Sequence, residues 1–141
     1  MQKTCYLVAA AAVAVAGLTG ATATLRTAAP VQGGVSTPAF SEKLPNVPGK
    51  TLTGVLVKYA PGAKSKPHHH AGSVMAYVLS GHVRSESSMT GPARIYAAGE
   101  SFFEAPGSQH LVSENASETE PASLLAIFVA DDGATLSTVN Q

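Results

Sequence analysis

From Thr51 to Val129 the chain divides into short β-rich runs, each closed by a Gly or Pro turn signal. Repeats of about 8–12 residues between turns mark an all-β sandwich or barrel. Leu52, Gly54, Leu56 and Lys58 alternate with Thr53, Val55, Val57 and Tyr59, and β-branched residues are frequent, as a pleated strand favours. Ala60-Pro61-Gly62-Ala63 is a turn. The apolar run Val74 to Leu79 stops at Ser80-Gly81, and His82 to Ser85 reads as the return arm of a tight hairpin. Further strands are expected at Arg94–Tyr96, Ser101–Glu104, His110–Ser113 and Leu124–Val129, with a polar loop from Asn115 to Pro121. Helical periodicity is absent outside the N-terminus, and no internal repeat is visible.

The N-terminus is different in kind. Lys3 gives a short positive start, Cys5 to Leu18 is apolar and rich in Ala and Val, and Ala21-Thr22-Ala23 is a small-x-small sequence. Together these read as a secretory signal peptide spanning residues 1–23. The apolar run is shorter than the ~20 residues a membrane-spanning helix needs, so no stable membrane anchor is expected after cleavage. The protein is then exported, to the periplasm or beyond. Cleavage removes the one cysteine, Cys5, so the mature chain has neither a disulfide nor a thiolate ligand. Residues 24–50 hold Pro30, Gly33-Gly34, Pro38, Pro45 and Pro48 and read as an extended lead-in. The barrel is expected over residues 51–130, with a small, polar, fraying tail over 131–141. Nine basic and nine acidic residues balance, which leaves no cationic surplus for nucleic acid.

Four of the five histidines lie between Lys66 and His82, and His68-His69-His70 are consecutive. Side chains two apart on a strand share a face, so His68 and His70 aim at one point and His69 faces away. A third imidazole from another strand completes a site for a borderline divalent ion. His110, just after Pro106-Gly107, is the natural partner. The competing reading is an exposed polar run with adventitious metal affinity.

At this point the sequence resembles the small bacterial cupins. Their first motif, G-x5-H-x-H-x3–4-E-x6-G, is matched by Gly62, His68, His70 and Gly81. Their second, G-x5-P-x-G-x2-H-x3-N, is matched with small offsets by Gly99, Pro106, Gly107, His110 and Asn115. The resemblance implies a double-stranded β-helix, the cupin jelly-roll barrel, and commonly a homodimer. It also exposes a departure. The motif's glutamate ligand should fall at position 74 or 75, where this chain has Val74 and Met75.

Three outcomes follow from that departure. The site is a neutral three-histidine set, as in some cupin dioxygenases; or another side chain, Glu104 or Met75, supplies a further ligand; or the site has decayed into a metal-free binding module. Met75, Tyr77 and Phe102 are expected to line the pocket. The implied cofactor is one divalent transition metal, Fe, Ni, Zn, Cu or Mn, and the implied partner is a small organic molecule. A redox-active ion suits dioxygenase-like chemistry, and a redox-inert ion suits an isomerase or lyase.

Overall fold

The computed structural model describes residues 33–141. The expected signal peptide lies outside the described residues. Ten strands follow in order: β1 Val35–Lys43, β2 Lys50–Tyr59, β3 His68–His70, β4 Ser73–Ser80, β5 His82–Ser87, β6 Arg94–Ala97, β7 Ser101–Glu104, β8 Gln109–Asn115, β9 Ala122–Asp131 and β10 Ser137–Val139. There is no helix among the described residues. The strands form two five-stranded sheets, ordered β1-β2-β9-β4-β7 and β10-β3-β8-β5-β6. Every named pairing between neighbours is antiparallel. This is the double-stranded β-helix.

Alternation sets what faces inward. On β9, Ala122, Leu124, Ala126, Phe128 and Ala130 are buried, while the residues between them face out and are half-buried. On β4, Val74, Ala76 and Val78 are buried, and Met75, Tyr77 and Leu79 are exposed. Val74, Val78 and Val83 are fully enclosed. Burying one such side chain is worth about 1.5–3 kcal/mol. The β4–β5 turn depends on Gly81. Its φ is +68°, and a Cβ there would meet the Pro121 carbonyl oxygen at 2.5 Å.

Two segments are more ordered than their composition suggests. Val35–Lys43, within the Pro/Gly-rich lead-in, is an edge strand on β2, running from Val35 opposite Lys58 to Lys43 opposite Thr51. Pro38 is tolerated because an edge strand has a side that needs no N–H donor, and the register shifts between Pro38 and Phe40. The Phe40 ring lies directly over Gly54, filling the space any other residue there would need. Ser137–Val139, within the expected fraying tail, pairs with His70–His68. The tail therefore forms one wall of the histidine strand.

Candidate metal centre

The two sheets enclose a cavity of about 580 Å3. Its walls are mainly apolar, including Val55, Val57, Phe102, Leu124 and Phe128. The polar end is built by β3, β7 and β8. His68 stands opposite His110 in the β3–β8 pairing. His70 lies two residues on, on the same face. One ligand atom from each of His68, His70 and His110 can be chosen so that all three lie within 4.8 Å of one another. His69 points away and bonds Asn140 Oδ1 through Nδ1 at 2.9 Å. His82 is exposed on β5, away from this cluster.

Hydrogen bonds fix which nitrogen each ring presents. His68 Nδ1 donates to the Lys66 carbonyl at 2.7 Å, and His70 Nδ1 donates to the Leu136 carbonyl at 3.0 Å. Both rings therefore turn an unprotonated Nε2 inward, as a metal-binding imidazole requires. His110 is held the other way round. Its Nε2 shares a buried hydrogen bond with Ser85 Oγ at 2.8 Å, which leaves Nδ1 for the centre. Phe128 sets its edge against His70, with ring centroids 5.2 Å apart, and Phe102 packs against His110 at 5.9 Å. Burial is the main influence on His68 and His70 and holds both below the ordinary histidine value, so both are neutral near pH 7.

Glu104 enters the same space from β7 and is 2% exposed. Its Oε1 is 3.1 Å from His110 Nδ1 and 3.8 Å from His70 Nε2. Burial pushes this carboxyl up, but the close approach of His110, with His70 and His68 behind it, outweighs burial and holds it below the usual carboxylate range. The 3.1 Å approach is not aligned as a hydrogen bond, and His110 Nδ1 and Glu104 Oε2 are both buried without a hydrogen-bond partner. Orphaned buried polar atoms are costly. Two of them beside two inward-facing imidazole nitrogens are the environment a bound cation satisfies. The residues present fit a divalent metal.

The structure thus brings together His68, His70, His110, Glu104 and Phe102. Met75 and Tyr77 do not line the cavity. They alternate with Val74 and Ala76 and are 38% and 41% exposed on the outer face of β4. Met75 is therefore no candidate for a copper ligand. Ser85 and Leu136 escaped the sequence reading. Nothing in the local sequence marks Ser85, which becomes visible only through the pairing of β5 with β8.

The sequence profile of the cupin domain matches residues 55–128. The chain belongs to the cupin family. No functionally curated protein matches this cupin in sequence. Solved structures share its fold. An uncharacterised Klebsiella pneumoniae protein with a double-stranded β-helix domain is 18% identical, with a TM-score of 0.60 over 77% of this chain and 85% of that one. The DMSP lyase DddQ of Ruegeria pomeroyi is 19% identical, with a TM-score of 0.55 over 63% of this chain and 43% of that one. The Bacillus subtilis oxalate decarboxylase, a protein with Mn(II) centres, is 28% identical, with a TM-score of 0.53 over 62% of this chain and 23% of that one.

Proposed function

We propose that this cupin is an exported, metal-dependent enzyme acting on a small organic anion. One observation carries the reading: the three histidines that can gather one divalent ion stand at the polar end of a mainly apolar cavity. The volume, about 580 Å3, falls in the range that holds a small organic ligand. The Mn(II) centres of the Bacillus subtilis relative support a transition metal here, although this chain spans only 23% of that protein.

His68, His70 and His110 would hold the ion, and when bound it supplies Lewis-acid polarisation or, if redox-active, a path for dioxygen chemistry. The chain's own residues do the rest. The backbone carbonyls of Lys66 and Leu136 keep two rings in the ligating tautomer. Ser85 orients the third. The apolar walls exclude water and receive the substrate's hydrocarbon part. Lys66 is exposed and is among the cavity-lining residues, so it brings a positive charge to the side of the cavity from which an anionic substrate would approach.

Glu104 beside His110 does not select between Lewis-acid and dioxygen chemistry, because histidine–carboxylate sites with open positions also serve oxygen-activating iron. The proposed class is Lewis-acid chemistry, isomerisation or elimination. The test is to load the mature protein separately with Zn(II), Mn(II) and, anaerobically, Fe(II). Small carboxylates, thiols and diketones are then offered to each form. Turnover with Zn(II) or Mn(II) and no oxygen uptake is expected. Oxygen uptake confined to the iron form would overturn the Lewis-acid class, and no turnover with any metal would leave a binding module.

Export is part of this reading. Cleavage after Ala23 falls before every described strand and leaves the barrel whole. The intact mass of the exported protein should begin at Thr24. Pairing of two copies is also part of it and is argued below from the outer sheet face.

A further inference from the structure

We infer that Glu104 is a fourth metal ligand, a carboxylate supplied across the strands in place of the glutamate the first cupin motif carries. The inference rests on the metal-binding reading above. The motif places its carboxylate at position 74 or 75, and this chain has Val74 and Met75 there. Met75 faces outward and leaves position 74 as the one with an inward side chain. In the β4–β7 pairing, Val74 stands directly opposite Glu104. Residues directly opposite on antiparallel strands have Cβ atoms about 4.5–5.5 Å apart and point to the same face. Glu104 therefore enters the barrel at the level of the missing glutamate, one strand over.

The electrostatics agree. A buried carboxylate costs several kcal/mol unless a charge or hydrogen bonds compensate it. Glu104 is almost fully enclosed, and Oε2 has no hydrogen-bond partner. Its ion-pair contacts are with imidazoles alone, His70 and His110. No Lys or Arg is paired with it among the described residues. A divalent ion among the histidine nitrogens supplies the missing positive charge. The geometry places Glu104 within reach of the ion, with one histidine contact at ligand spacing and the other slightly beyond it. The three histidines form the tighter group. Donors about 2.0–2.2 Å from a metal stand roughly 3–3.5 Å from one another at adjacent positions. Glu104 Oε1 is 3.1 Å from His110 Nδ1 and 3.8 Å from His70 Nε2. Three neutral imidazoles and one carboxylate leave a bound dication with a single net positive charge. That charge still attracts an anionic substrate, less strongly than a carboxylate-free set would.

The experiment uses the mature protein and Zn(II) alone, since zinc binds such donors more tightly than Mn(II) or Fe(II). Zinc affinity is measured by chelator competition for the unmodified protein and for Glu104→Gln, which keeps shape and removes charge. Infrared difference spectra on zinc addition are recorded for both. The expected result is one zinc per chain, at least tenfold weaker binding in Glu104→Gln, and a carboxylate stretch that shifts on zinc binding only in the unmodified protein. The infrared measurement on the unmodified protein stands even if the variant fails to fold. If the unmodified protein binds zinc with no carboxylate shift, or if the variant folds and binds within tenfold, Glu104 is not a ligand and the three-histidine reading survives. If the unmodified protein binds no zinc, both fall.

Discussion

At the level of single residues, the site is decided by hydrogen bonds that select ring nitrogens. Ser85 holds His110 by Nε2, so Ser85→Ala frees that ring to rotate. Loss of a partner that orients a ligand costs about 10–100-fold in metal affinity. Chelator competition should show a weakening in that range. The metal-free protein should also melt lower, because a second nitrogen of the buried His110 loses its partner at a cost of about 1–3 kcal/mol. The histidines also set a pH dependence. Burial holds His68 and His70 below 6.5 in the native state. Unfolding returns them to about 6.5. Below that pH the unfolded chain takes up protons that the metal-free native chain does not, so stability falls. Melting of the metal-free protein should shift downward between about pH 7 and 5, and a flat profile would contradict the burial of these rings. Glu104, held below the usual carboxylate range, adds its own loss only at lower pH. His68, His70 and His110 were legible because period-2 geometry and a motif mark them. Ser85 was not, because a serine acquires its role only when β5 and β8 pair.

At the level of elements, the C-terminal strand matters more than its composition suggests. Small polar residues gave no strand signal, yet β10 pairs with all three residues of β3, and the Leu136 carbonyl orients His70. Truncation after Thr135 should therefore weaken zinc binding at least tenfold while leaving a folded barrel by circular dichroism. Unchanged affinity would show that β3 holds its geometry unaided. β1 was hidden for a similar reason. Prolines argue against a central strand but not against an edge, and its pairing partner lies in β2. The central strands β2, β4 and β9 were readable because both their faces are apolar and their ends carry turn residues. Met75 and Tyr77 misled at this scale. The apolar run from Val74 to Leu79 does not reveal from composition which alternate set faces inward, and the smaller residues Val74, Ala76 and Val78 took the core.

For the whole molecule, the outer face of the β1-β2-β9-β4-β7 sheet is unusually apolar. Register carries one row from Phe40 over Gly54 to Ile127, Met75 and Phe103. Tyr77 beside Leu125 begins another, and Met75, Tyr77, Leu79 and Phe103 are all exposed. No ionisable side chain other than the tyrosine interrupts these positions. Extended exposed apolar patches mark interaction surfaces, and a self-complementary patch pairs by a two-fold axis. We propose that two copies meet on this face. Light scattering should give a dimer for the mature protein and a monomer for the pair of substitutions Met75→Glu and Tyr77→Glu. A monomeric unmodified protein would reject the pairing.

The central claim is that this barrel holds one metal ion through His68, His70 and His110. Its most direct test is elemental analysis of the mature protein purified without chelators, followed by titration with Zn(II). About one equivalent of bound divalent metal per chain is predicted, lost in His110→Ala. Less than about a tenth of an equivalent of any transition metal, with no uptake on titration, would contradict the account.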